Sequence, residues 1–321
     1  MSKCNLPFVK PLLTSYDSYT FTPFAGIYDE QFKLWFIHNF ISLRCGCSYG
    51  NRVILYDDLL NQVRVDTCPL FRKEVVQRST IIENNNLLAY IKCQISKGYY
   101  VFLSLDCYHN PHRGNLYKKI HFNHTSLIIG YNDEDEEFDI VDFFGDYMCK
   151  KIGYTDLYNG FYSYDIDHLL NHYEVVASVK YDSNFIVKYY YRPQLLKNTL
   201  IYYMNGDKQG EDWFGKYSYD VIRECVKGNN RFEKRQIHSV YDHKVAMKYR
   251  VRFLSELKLI EISEEQLGMF NDLETNSLSL RNVVFKYMST NNDRLLNRIN
   301  ELCSKIEHYE QHLIKLLLEL I

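Results

Sequence analysis

The sequence predicts an α+β protein, with an N-terminal domain over residues 1–190 built on a central antiparallel sheet and a helical domain over residues 191–321. Two observations carry this prediction. HTSLIIGY and FDIVDFF (residues 124–131 and 138–144) are apolar runs of strand length around the polar turn NDEDEE, which is the pattern of a hairpin. At the other end of the chain, Leu295, Ile299, Leu302, Ile306, Tyr309, Leu313, Leu316 and Leu320 recur at alternating steps of four and three. That spacing is a heptad seam along one long helix.

The elements follow in order. Residues 29–43 (DEQFKLWFIHNFISL) set Phe32, Trp35, Phe36, Phe40 and Ile41 at helical spacing, with Asp29 and Glu30 in the first turn, where the helix dipole favours acids. A second helix is expected over 84–97, ended by Gly98, and YYVFLSL at 99–105 reads as a buried strand. The hairpin follows, then a third strand over 146–154, a helix over 166–180 and a last strand over 184–192 before Pro193. Beyond residue 194 the pattern is helical, and Ser263–Gln266 (SEEQ) is a capping box opening one of these helices. Val240, Met247, Val251 and Leu254 offer a partner for the terminal seam, so an intramolecular helix pair is favoured over a homodimer through the C-terminal helices.

Composition narrows the function classes. Hydrophobic residues make up 46% and charged residues 24% of 321, as in globular proteins. A formal charge of −2 gives no general attraction for phosphate backbones or anionic lipid, so neither nucleic acid nor membrane is expected as a partner. The opening MSKCNLPFVKPLL is a poor signal peptide, and no window approaches the roughly 18 apolar residues of a spanning helix. With nine cysteines read as free thiols, a cytoplasmic location is expected. No glycine-rich nucleotide or phosphate loop occurs, so no cofactor is expected.

Chemistry concentrates in the hairpin. A hairpin register bringing Asp142 beside His124 would fix the imidazole tautomer and stabilise its charged form, as a general base requires. Register depends on the turn, so a core histidine with its bonds satisfied is the competing reading. His109, His112 and His121 gather in the loop before His124 and could line the same cleft; solvated loop histidines are the simpler reading, and no metal is expected. Cys45 and Cys47 lack further zinc ligands at regular spacing, and Cys4 reaches a site only if the N-terminal arm folds back. His168/His172 and His308/His312 have helical spacing without the zinc-peptidase glutamate beside the first histidine.

A strand-initial His124, an apolar run ending in Gly130–Tyr131, an acidic turn and Asp142 together resemble the His/Asp half of papain-like cysteine peptidases. The pattern is similar to the group around double-glycine leader peptidases and the N-terminal domain of butirosin biosynthesis protein H, and KYRVRFL and RNVVFKYM extend the likeness into the helical half. The resemblance implies a papain-like N-terminal fold. It implies amide-forming acyl or aminoacyl transfer from a carrier-protein thioester to an amine, in nonribosomal or modified-peptide (antibiotic) biosynthesis. An acyl or peptidyl carrier protein, or a peptide substrate, would be the partner, with His124 as base and Asp142 as its orienting carboxylate. It also implies a cysteine nucleophile before the first long helix. Ala25, followed by Gly26, holds that position in FTPFAGIYDEQF. Alanine cannot attack a thioester, and Asp29 and Glu30 would raise the pKa of a thiol there. Three explanations remain: a degenerate homologue that binds rather than cuts, a nucleophile replaced by alanine through engineering, or direct activation of the amine without a covalent intermediate. A cysteine peptidase using another thiol is the weaker alternative.

Overall fold

Runs rich in β-branched and aromatic residues alternate with helical spacing along this chain, and the computed structural model describes residues 2–14, 26–48, 51–57, 62, 67–143, 147–163, 175–181, 188–227 and 234–321. The chain divides into two compact units, Met1–Pro11 with Pro69–Ile186 and Leu12–Cys68 with Val187–Ile321. The sequence predicts one boundary at residue 190. The structure adds residues 12–68 to the C-terminal unit, because a strand there pairs with one beyond residue 210.

The first unit is α+β with antiparallel pairing. Its seven-stranded sheet contains β1 (Lys3–Asn5), β4 (Phe71–Gln77), β5 (Tyr100–Asp106), β6 (Asn123–Asn132), β7 (Glu137–Phe143), β8 (Tyr147–Gly153) and β9 (Val175–Tyr181), in the order β4-β9-β5-β6-β7-β8 with β1 also on β6. Among the described residues it also holds three α-helices, α2 (Arg78–Asn84), α3 (Leu87–Ser96) and α4 (Tyr154–Tyr162). Ile81, Leu87, Ile91, Ile95, Leu157 and Phe161 from these helices share a core with Val101, Leu103, Leu105, Ile128 and Ile140 of the sheet. Residues 175–181 are a strand where helical spacing suggests a helix. Val175, Val176 and Val179 prefer extended backbone, and β9 gains ladders with both β4 and β5. Residues 164–174, which hold His168, His172 and the rest of that expected helix, lie outside the described residues. Of the strand expected over 184–192, residues 188–192 are described and are not a strand.

In the second unit α1 spans Glu30–His38, with the Asp29 carboxylate accepting from Phe32 N at 2.8 Å. The helix stops five residues short of the expected 43. Phe40 turns the chain at φ +57°, and β2 (Ser42–Ser48) begins, pairing with β3 (Asn51–Asp57). The buried Arg250 closes the helix end by donating from Nε to Ile37 O at 2.9 Å and from Nη2 to Asn39 O. After α5 (Pro193–Asn205), β10 (Asp207–Gln209) and β11 (Asp212–Phe214) complete the sheet β10-β11-β2-β3.

Among the described residues four α-helices follow: α6 (Ser218–Lys227), α7 (Lys234–Glu256), α8 (Glu264–Thr290) and α9 (Arg294–Leu320). The capping box forms, Ser263 Oγ accepting from Gln266 N and Gln266 Oε1 accepting from Ser263 N. The α9 seam is spent inside this unit, against α8, α6 and α5. Its buried positions are Ile299, Leu302, Cys303, Ile306, Glu310, Leu313, Ile314 and Leu317; Ile299, Leu302, Ile306 and Leu313 lie on the expected line, while Glu310 and Leu317 are buried one residue beyond Tyr309 and Leu316. That shift puts an ionisable side chain in the seam. No helix among the described residues is long and apolar enough to cross a membrane.

Candidate functional site

β6 carries His124 and β7 carries Asp142, and a bulge decides whether they meet. Next to the turn, Asn132 pairs with Glu137, Tyr131 with Phe138 and Gly130 with Asp139. Continued unchanged, that register would set Asp142 opposite Leu127, on the other side of β6 from His124. A bulge between Ile128 and Gly130 absorbs one residue, so Leu127 pairs with Val141 instead. One step further on, Asp142 comes opposite Ser126, whose Oγ donates to its Oδ2 at 2.7 Å. His124, two residues along, shares that side.

Gly130 allows the bulge to sit there. It pairs with Asn5 of β1, and an added Cβ would collide with the Asn5 side chain and lie 2.6 Å from Asp139 Oδ2. Gly130→Ala is expected to cost about 1–3 kcal/mol, as overpacking does, and to shift the urea unfolding midpoint accordingly. An unchanged midpoint would refute the close approach.

Asp142 and His124 are brought together, with His124 Nδ1 3.4 Å from Asp142 Oδ2, but the pairing differs from a simple dyad. Arg113 Nη2 stands 2.6 Å from His124 Nδ1 and forms an ion pair with Asp142 Oδ2. Guanidinium has only donors, so Nδ1 must accept and the neutral ring carries its proton on Nε2. A base acting through Nε2 needs the opposite tautomer. His124 in this arrangement is a hydrogen-bond donor, backed by a cation. The sequence reading makes Asp142 the carboxylate that orients His124; the two groups do meet, and the loop returning from β5 adds Arg113 beside both.

The electrostatics agree with a closed ion cluster. Burial, the largest influence on Asp142, pushes its carboxyl up. The groups around it, the His124 ring, the Arg113 guanidinium and the Ser126 hydroxyl, together outweigh burial and hold it below the usual carboxylate range. The Asp142 side chain is 1% exposed and that of His124 23%, so only the histidine offers an edge to solvent.

A second histidine–carboxylate contact lies at the same end of β6. Asp106, at the end of β5, accepts from Tyr108 N at 3.0 Å and from Phe122 N at 3.1 Å, and Cys107 N donates to Phe122 O at 2.8 Å. These bonds pin together the two ends of the loop between β5 and β6. His121 Nδ1 meets Asp106 Oδ2 at 2.6 Å. Burial pushes the Asp106 carboxyl up, but bonds from His121, Tyr108 N and Phe122 N hold it lower than usual.

The other candidates separate from this cluster. His112 Nε2 bonds to Lys151 O at 2.5 Å, and the His109 ring packs edge-on to Tyr108. Among the described residues no group of three or more His, Cys, Asp or Glu side chains is arranged to hold a metal ion. Cys107 is 1% exposed, and burial pushes its thiol up to about 11, the reverse of what a nucleophile needs. Cys45 is buried in the second unit, and Cys4 directs Sγ at Ile95 O, 3.9 Å away. Ala25 and the Cys47 side chain lie outside the described residues. His308 and His312 are exposed on α9.

Sequence reasoning misses Arg113, Ser126 and Asp106. Asp106 leaves a trace, a carboxylate ending an otherwise apolar strand, whereas Arg113 is one loop cation among several. No known family profile matches the chain, and no curated protein matches it.

Proposed function

We propose that this chain takes part in acyl or aminoacyl transfer, forming an amide from a carrier-protein thioester and an amine without a covalent enzyme intermediate. The observation that carries this reading is the cluster of His124, Arg113, Asp142 and Ser126 on one side of an antiparallel sheet. Its Nε2–H donor, held by a cation and a buried carboxylate, suits a carbonyl oxygen that gains negative charge as an amine attacks. A thioester is already activated, so a donor and a positioned amine suffice, and an alanine at position 25 is no obstacle. The same elements support a papain-like first unit, with antiparallel strands presenting a histidine and an aspartate from neighbouring positions.

The test mixes the protein with an acyl-loaded carrier protein and an amine and follows amide formation. His124→Ala is expected to lower the rate about 100-fold, the scale of losing one donor to a developing oxyanion. A variant as fast as the parent protein would refute the mechanism.

A second reading, a binding component derived from a cysteine-peptidase-like ancestor, draws on the buried Cys107 thiol and on Ala25. Under it the parent protein retains the acyl-loaded carrier or a peptide and forms no amide, and His124→Ala leaves that binding intact.

A further inference from the structure

The two histidine contacts at the head of β6 have opposite polarity, and this separates their chemistry. Arg113 forces His124 Nδ1 to accept, which leaves a proton on Nε2. Asp106 does the reverse to His121. A carboxylate has only acceptors, so its 2.6 Å contact requires the proton on His121 Nδ1 and leaves a lone pair on Nε2. Three further features mark this pair. Asp106 is 3% exposed and anchored by two backbone N–H groups, so it cannot swing away from the ring. The His121 ring stacks on Tyr108 at 4.3 Å with planes 10° apart, fixing its orientation, yet its side chain is 68% exposed. On either side Ile120 and Phe122 are 53% and 51% exposed, giving apolar surface against which a substrate can lie.

We propose that His121, held by Asp106, is the proton acceptor of the first unit, taking its proton from an amine bound against Ile120 and Phe122. This rests on the acyl-transfer reading above for the identity of the substrate. The amine nitrogen attacks the thioester carbonyl carbon, the C–N bond forms and the C–S bond breaks. The proton from nitrogen passes to His121 Nε2, and the departing thiolate of the carrier arm takes it up, so charge and protons balance. Asp106 is a positioning residue, acting only through the tautomer of His121.

The test has two arms on the full-length protein. In the first, nitrogen-15 spectra of ring-labelled histidine at neutral pH, assigned with His121→Gln and His124→Gln, report which nitrogen carries the proton. The expected result is Nδ1–H for His121 and Nε2–H for His124, with Asp106→Asn, which keeps an acceptor for Tyr108 N and Phe122 N, reversing His121. In the second, His121→Gln is expected to lower kcat for amide formation at least about 100-fold with KM little changed, the lower end for a general base. His121 with its proton on Nε2, or a His121→Gln protein turning over at the parent rate, overturns the proposal. Parent protein that forms no amide removes the transfer reading, and the spectrum alone then decides whether His121 presents an acceptor.

Discussion

Glu310→Ala is expected to destabilise the second unit by about 3–5 kcal/mol, the scale for removing one partner of a buried ion pair. Glu310 is 2% exposed in the seam of α9. Its Oε1 takes a hydrogen bond from Lys244 Nζ, and its Oε2 accepts from Tyr203 at 2.9 Å and from Tyr219 at 2.8 Å. Lys244 also donates to Tyr203 Oη at 2.9 Å and contacts His243 Nδ1 at 3.0 Å, while His243 Nε2 bonds to Ile41 O at 2.6 Å. Without the carboxylate, a lysine with 0% exposure keeps its charge with no counterion or sheds its proton. Burial already pulls the Lys244 pKa below its ordinary value. Urea unfolding followed by circular dichroism measures the loss. Lys244→Met combined with Glu310→Leu should recover most of it, since apolar groups of similar volume often replace a buried pair at little cost. A single variant as stable as the parent would show that the pair is not the centre of this core.

Acid is expected to weaken the same unit steeply. His38 and His238 are both pushed down to about 4, by burial first and then by nearby guanidinium groups, Arg250 and Arg192 for His38 and Arg281 for His238. Between the ordinary value of 6.5 and about 4, the unfolded chain binds protons that the folded chain refuses, so stability falls as pH falls through that window. Each histidine contributes a slope of up to about 1.4 kcal/mol per pH unit there. Urea midpoints should drop between pH 7 and pH 5. His38→Gln, which keeps an acceptor for Arg192 N, should flatten the dependence. A midpoint that holds constant over this range would contradict the assignment.

What could be read from the sequence follows physical range. The hairpin, β5, β8, α3 and the capping box at Ser263 are local patterns, and they are found close to where spacing puts them. β9 was hidden because its valines satisfy helical spacing as well, while β2 (SLRCGCS) has no aromatic or β-branched residue to mark it; only pairing across the sheets selects the extended form of either. At the site, His124 and Asp142 are visible as residue types. Their meeting depends on a one-residue bulge that Gly130 permits against Asn5, a contact between distant parts of the chain. Arg113 reaches Nδ1 from a loop, where no periodicity exists to place it. The α9 seam could be read as a seam, but its rotation toward Glu310 is set by Lys244, Tyr203 and Tyr219 on other helices.

The division of the chain also bears on its order of synthesis. The described strands of the first unit's sheet are all made by Tyr181, but β2, made much earlier, meets β11 only when Asp212–Phe214 emerge, where Trp213 pairs with Cys45 and Phe214 with Arg44. Throughout the translation of residues 69–186 the β2–β3 hairpin therefore has an open edge along Arg44 and Cys45, a template for wrong partners on a crowded ribosome. α8 and α9 are made later still, and Glu310 of α9 closes the buried cluster around Lys244. A nascent chain stalled before them is a natural client for a holding chaperone.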